Sequence, residues 1–323
     1  MNKQIAVINT GGTIAMAVDE QSEAVKPQGS QPLHHVTPYL KEFGEIIMDD
    51  FLNLPSPHMT PELMLALATQ IGKYINDERV SGVVITHGTD TLEETAYLLD
   101  LILHSNKPIV VTGAMRSSNE LGADGPINLV HSVRVAAHRE SHGRGVLVVF
   151  NDEIHAARYV TKTHTSNVAT FQSPQHGPVG LISKKNIQYM ESPLPRKHIP
   201  ISKILANIPL IKTVTGMKAE WLSFLLDDEI DGVVIEAFGA GNVPPGIVPV
   251  IETLCQKGKP VVLVSRCYNG YVQDLYGYEG GGHHLGQLGV IFSNGLNGQK
   301  ARIKLMVACE NSKDLKQIAK MFD

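Results

Sequence analysis

Short runs of β-branched residues recur along the chain, apolar at successive positions rather than at every second one. Ile5-Ala6-Val7-Ile8 is the first, and residues 82–86, 108–112 and 145–150 repeat the type. A strand apolar on both faces is covered on both faces, so these runs predict a parallel sheet held between helix layers. Between them the apolar spacing turns helical. Thr60-Pro61-Glu62 opens one helix, with Thr as N-cap and Pro in the first turn, and Leu63, Ala66, Leu67 and Ile71 continue it. A second begins after Asp90 and carries Leu92, Ala96, Leu99 and Leu103 on one face. The rhythm breaks from about 185 to 210, where Pro193, Pro195 and Pro200 sit in a basic, polar stretch that reads as a linker. It resumes with strand runs at 210–214, 232–235 and 260–264 and helical spacing near 218–226 and 246–257. The expected fold is α/β in two α/β domains. A larger N-terminal domain (1–190) holds a doubly wound, mostly parallel sheet, residues 191–209 link, and a smaller C-terminal α/β domain spans 210–323.

Composition narrows the function. Of 323 residues 43% are apolar and 19% charged, which suits two packed cores and excludes a disordered chain. A net charge of −4 lacks the basic excess of a dedicated nucleic-acid binder. No apolar run approaches the roughly 18 residues of a membrane span, and the N-terminus MNKQIAVINTGGTIAM lacks the apolar centre and cleavage site of a secretory signal. The three cysteines, Cys255, Cys267 and Cys309, are far apart and make no disulfide framework. A cytoplasmic location is expected, with neither membrane nor nucleic acid as partner. Several signatures are missing: no GxGxxG follows the first strand, and there is no GxxxxGK[ST], GxSxG or HExxH. The adjacent pairs His34-His35 and His283-His284 have no Cys or carboxylate at ligand spacing, so no metal site is expected.

Chemistry concentrates at two strand ends. The first strand runs into Asn9-Thr10-Gly11-Gly12-Thr13-Ile14-Ala15, and the run at 82–86 continues into His87-Gly88-Thr89-Asp90-Thr91-Leu92-Glu93-Glu94. Open α/β sheets bind ligands outside the carboxyl ends of their strands. Both segments present hydroxyls on Gly-flanked turns, where backbone N–H groups come close to a ligand. The second also opens a helix, whose free N–H groups favour a developing anion. Taken alone, Thr89 and Asp90 read as helix caps and Gly11-Gly12 as a turn; their pairing at equivalent strand ends is what points to a site. Val160-Thr161-Lys162-Thr163, with Arg158 before it, adds a lysine between hydroxyls. Spacing leaves it open as a solvated surface residue or as a desolvated base.

TGGTIA, HGTDTLEETAY and VTKT together resemble the bacterial L-asparaginase family, as do Thr112-Gly113-Ala114-Met115-Arg116, the run 123–129 and Lys300-Ala301-Arg302. The resemblance covers essentially the whole chain. It implies hydrolysis of L-asparagine to L-aspartate and ammonia by threonine chemistry, with no metal or organic cofactor. Thr13 then corresponds to the nucleophile. Thr89, Asp90 and Lys162 correspond to the second catalytic group, and Ser56, Gly88, Thr89 and Asp90 bind the substrate. Ser56 matches the contact to the α-carboxylate and Asp90 the contact to the α-ammonium. A homo-oligomer, dimer or tetramer, is implied, with Asn242, Tyr278 and Glu279 as contributors from a partner chain. The open alternatives are a mixed glutaminase-asparaginase and an inactive amino-acid-binding homologue.

Three departures from the family pattern stand out. Relatives carry a flap tyrosine about a dozen residues after the nucleophile, where this chain reads Glu23-Ala24-Val25-Lys26-Pro27 and the first tyrosine is Tyr39. A tyrosine of the cluster Tyr268, Tyr271, Tyr276 and Tyr278 is the expected substitute, against the plainer reading of a glycine-rich loop with incidental rings. Pro57 stands where relatives have Gln, removing a donor. The acid that relatives send from a partner chain falls on Glu279 or Asp274.

Overall fold

The buried strands send successive side chains to opposite helix layers, and that alternation builds the N-terminal half of the chain. The computed structural model describes residues 4–19, 22, 25–27 and 36–323. It divides into one unit ending at His198 and a second beginning at Ile199. In the first unit, β1 (Gln4–Gly11) is followed by a small hairpin of β2 (Met16–Val18) and β3 (Val25–Pro27). Then come α1 (Thr37–Leu40), β4 (Glu45–Leu54), α2 (Pro61–Ile75), β5 (Val80–Thr86), α3 (Leu92–Ile102), β6 (Ile109–Thr112), α4 (Gly125–Ala137) and β7 (Val146–Phe150). The short strands β8 (Glu153–Ala156), β9 (Thr161–Lys162), β10 (Phe171–Gln172), β11 (Gly180–Ile182) and β12 (Ile187–Tyr189) complete it.

Among the described residues the main sheet has eight strands in the order β12-β11-β8-β7-β6-β5-β1-β4. Pairing is parallel from β4 through β7 and antiparallel from β7 to β12. The expected mostly parallel, doubly wound sheet is present. Ile5 and Val7 of β1 and Val84 of β5 pack with Leu129, Val133 and Ala136 of α4. Ala6, Ile8, Val83 and Ile85 point the other way, onto Leu67 and Ile71 of α2 and Leu92, Ala96 and Leu99 of α3. As the pattern predicts, α2 opens with Thr60, whose side chain accepts the Leu63 N–H at 3.3 Å, and with Pro61 at its first position. The parallel strands stand in the order β4-β1-β5-β6-β7, so the direction of winding reverses between β1 and β5. That reversal opens a crevice beyond their carboxyl ends.

The second unit has its own four-stranded parallel sheet: β13 (Leu210–Lys212), β14 (Val233–Ala237), β15 (Val261–Ser265) and β16 (Ile291–Phe292), in that spatial order. Helices α5 (Val248–Gln256), α6 (Gly282–Gln287), α7 (Gly298–Asn311) and α8 (Leu315–Phe322) accompany it. The segment 219–226 is a 3₁₀ rather than an α-helix; its buried residues Leu222 and Leu225 lie three apart, the period of that helix. The proline-rich stretch after Tyr189 has no regular element. Arg196 reaches the partly buried Asp100 at 3.0 Å within the first unit, while Ile199, Ile204, Ala206 and Ile208 are buried. Among the described residues no helix is long and apolar enough to cross a membrane.

Candidate active site

Three strand ends meet at the reversal. Asn9, buried in β1, donates from Nδ2 to Asp50 of β4 at 3.1 Å and accepts at Oδ1 from the Thr86 hydroxyl of β5 at 2.9 Å. Its Oδ1 also accepts the Gly11 N–H at 3.1 Å, which turns the chain out of the sheet. Gly11 and Gly12 have φ of 99° and 84°, a region that favours glycine. A Cβ on Gly12 would collide with Gly88 Cα and N, and one on Gly88 would lie 2.6 Å from Ser56 Cβ. Bare backbone is therefore what lets the Thr13 turn, the Gly88 loop and the Ser56 turn touch. Thr13 follows at the start of a short 3₁₀ turn and is partly exposed.

Around this contact the polar groups are ordered. Lys162 Nζ donates to Thr89 Oγ1 at 2.8 Å and pairs with Asp90 Oδ1 at 2.7 Å. Thr89 is buried, whereas the Asp90 side chain is 59% exposed and free to meet a ligand. Ser56 is buried; its Oγ accepts the Asp90 N–H at 3.2 Å, and its carbonyl accepts the Thr91 hydroxyl at 2.9 Å. With an amide already on Oγ, the Ser56 hydroxyl proton is directed to another acceptor. Pro57 lies exposed in the same 3₁₀ turn, in a position where its missing N–H breaks no ladder. Beneath the loop His87 is fully buried. Its Nδ1 faces the Gly88 carbonyl at 2.8 Å, and that oxygen only accepts, so Nδ1 carries the hydrogen and Nε2 receives the Thr95 hydroxyl at 2.9 Å. Burial pulls the His87 pKa down to about 4.

Family models decide the kinship. The model described as asparaginase, N-terminal, matches residues 4–195, and the glutaminase/asparaginase C-terminal domain matches residues 207–322. The chain belongs to the asparaginase family. A protein named probable L-asparaginase from Deinococcus radiodurans is 38% identical over 99% of this chain and 97% of its own. One named glutaminase-asparaginase from Acinetobacter glutaminasificans is 32% identical over 98% of each. The crystal structure of a probable cytoplasmic L-asparaginase from Campylobacter jejuni superposes with a TM-score of 0.87 at 34% identity, covering 99% of both chains.

Other family motifs prove to be scaffolding. Asp124 accepts the N–H groups of Met115 and Arg116 at 3.0 and 2.9 Å and shapes the turn after β6. Asn128 Nδ2 donates to the Gly113 carbonyl at 3.1 Å. In the second unit Asn242 closes a tight turn with Phe238, and its Oδ1 is buried with no hydrogen-bond partner among the described residues. Tyr278 and Glu279 are exposed there. Tyr268, Tyr271, Tyr276 and Tyr278 all turn outward, on a loop pinned from Gln273 N–H to the Ala240 carbonyl at 2.8 Å and from His283 N–H to the Tyr276 carbonyl at 3.0 Å. Asp274 engages His283 Nδ1 at 2.7 Å, and His284 Nδ1 accepts the Gly280 N–H at 3.2 Å. Glu23, Ala24, His34 and His35 lie outside the described residues, while Val25–Pro27 forms the outer strand of the small hairpin. Among the described residues no cluster of His, Cys, Asp or Glu is placed to hold a metal ion. One residue of the site escaped the sequence reading. Glu93, buried in the first turn of α3, accepts at Oε1 both the Thr161 hydroxyl at 2.9 Å and the Lys162 N–H at 3.2 Å. The apolar period of α3 does not mark it, since Glu93 stands about 100° round the helix from Leu92 and off the face of Leu92, Ala96 and Leu99.

Proposed function

We propose that this chain hydrolyses L-asparagine to L-aspartate and ammonia through an acyl-enzyme on Thr13. The observation that carries the reading is the hydrogen-bonded Lys162–Thr89 pair, beside an exposed Asp90 carboxylate, at the strand ends that Gly12 and Gly88 hold in contact. The ammonium of the substrate pairs with Asp90, and its α-carboxylate accepts the Ser56 hydroxyl. Lys162 donates to Thr89 in the resting site, so activation begins when Lys162 Nζ hands one proton to bulk water and becomes an acceptor. Thr89 then passes its proton to Lys162 and draws one, through a water, from the Thr13 hydroxyl. The Thr13 oxygen bonds to the side-chain carbonyl carbon, and N–H groups of the Gly88-Thr89 turn hold the oxyanion. The C–N bond breaks as the stored proton moves to the departing nitrogen, releasing ammonia. Water, deprotonated by the same pair, cleaves the ester and restores Thr13.

A mixed specificity is the second reading, favoured by kinship with the glutaminase-asparaginase of Acinetobacter glutaminasificans. One methylene separates the two substrates and is worth only about 1–3 kcal/mol of discrimination. A cytoplasmic location fits three free cysteines, and an assembly of copies is the reading that gives Asn242, Tyr278 and Glu279 a part in the site. The experiment is direct. Purified protein should release ammonia from asparagine, and Thr13→Ala should lower kcat by about a thousandfold or more. A slow aspartyl ester should leave an aspartyl group on the wild-type protein that peptide mass spectrometry maps to Thr13. A label on any other side chain, or a tenth of the activity surviving in Thr13→Ala, removes Thr13 from the role.

A further inference from the structure

The catalytic reading asks Lys162 Nζ to hold its 2.8 Å hydrogen bond to Thr89, yet β9, the strand that carries the lysine, is two residues long. Its ladder partner is the equally short β10, with Phe171 opposite Lys162. A two-residue antiparallel pair holds a backbone weakly by itself. The second hold comes from α3. Glu93 Oε1 takes the Thr161 hydroxyl at 2.9 Å and the Lys162 N–H at 3.2 Å, from a side chain that is 4% exposed. Glu93 stands in the first turn of the helix whose N-terminal approach contains Thr89 and Asp90. The two partners of Lys162 Nζ and the acceptor of its backbone N–H are thus three and four positions apart on one stretch of chain. Tyr97 and Asp100, one and two turns on, continue the same face toward the 157–162 segment, and Arg158 lies near both.

We infer that Glu93 is a positioning residue for the lysine: its carboxylate welds the start of α3 to the Thr161-Lys162 backbone and sets the Lys162–Thr89 distance. It touches neither substrate nor reacting atoms. A buried carboxylate is a costly group to keep for packing alone, and here its oxygen accepts from the two donors that fix the base. Substrate binding, which uses Ser56 and Asp90, should change less than turnover, because those two residues are joined directly to each other through the Asp90 N–H and Ser56 Oγ.

The inference rests on the proposed role of Lys162, so Lys162→Met is the control. With asparagine as substrate, Glu93→Ala should lower kcat by about a hundredfold, the effect expected of an ångström-scale misplacement of a catalytic group, with KM changed less than about threefold. Glu93→Gln keeps an acceptor oxygen and should recover most of that loss. Thr161→Val removes one of the two donors and should reduce kcat several-fold, again at unchanged KM. If Glu93→Ala does not fold, the Glu93→Gln and Thr161→Val values decide. A wild-type kcat in folded Glu93→Ala or in Thr161→Val, or a loss expressed in KM alone, overturns the positioning role. Full activity in Lys162→Met instead overturns the reading of the lysine, and the two failures are thereby told apart.

Discussion

His87 shows how much a single side chain under the site is asked to do. It is held neutral between the Gly88 carbonyl and the Thr95 hydroxyl, and burial keeps its pKa at about 4, below the ordinary 6.5. The sign of the consequence follows from where the proton sits. Between those two values the unfolded chain binds a proton at this position and the folded chain does not, so stability rises with pH across that window and falls on acidification. His87 should therefore remove about 2 kcal/mol of stability between pH 7 and pH 5, at roughly 1.4 kcal/mol per unit below the unfolded pKa. Urea unfolding of wild type and His87→Gln at the two pH values measures this: the variant should start less stable and lose less on acidification. An equal loss in both proteins would assign the slope to other groups. At this scale the hydroxyl-bearing turns around Thr13 and Thr89-Asp90 stood out by their residue types, whereas spacing left Lys162 open and only the family resemblance pointed to Ser56; the structure joins Ser56, Thr89, Asp90 and Lys162 by hydrogen bonds. Glu93 and His87 were printed inside the motif that holds Thr89 and were not legible. Their roles depend on what covers them, and burial is not written in a six-residue window.

The elements are short-range consequences of the pattern, but their contacts depend on glycine. Gly12 and Gly88 face each other without side chains, and this contact carries the Thr13 turn to the start of α3. Gly12→Ala should leave a folded protein with kcat reduced by about a hundredfold, since the added methyl must push the two turns apart. Gly72 is the contrast. It lies inside α2 with open space where a Cβ would stand, so Gly72→Ala should raise stability by about 0.5–1 kcal/mol and leave turnover unchanged. Steady-state kinetics and urea melts of the two variants test both halves. A Gly12→Ala enzyme with wild-type turnover would show that the turns meet for another reason. The parallel strands and helices α2 and α3 were readable because their apolar periods are clean. β4 was not: it is the edge strand, only half-buried over Glu45–Leu54, and its acidic pair Asp49-Asp50 interrupts the run. α7 was missed for the opposite reason, being buried on nearly all sides and so without a polar face to mark its period.

For the whole molecule, the proposed assembly gives the clearest test. Among the described residues Asn242 has a buried oxygen without a hydrogen-bond partner, and Tyr278 and Glu279 stand exposed in the second unit. If copies complete one another's sites, Thr13→Ala and Glu279→Ala proteins, each inactive alone, should regain activity when unfolded together and reassembled. Sedimentation equilibrium should give a mass at least twice that of one chain. A fully active monomer, or no recovery in the mixed sample, counts against shared sites.

The order of apolar and polar residues was enough for an α/β protein with a parallel sheet, two covered faces and hydroxyl-bearing turns at strand ends, since each of these is a local property of spacing. The meeting of those turns belongs to tertiary structure. Only the strand order β4-β1-β5 makes Ser56, Thr13 and Thr89 neighbours, although more than thirty residues separate each from the next. Strand order is chosen by how helices cover both faces of the sheet, a requirement of the assembled core rather than of any one segment.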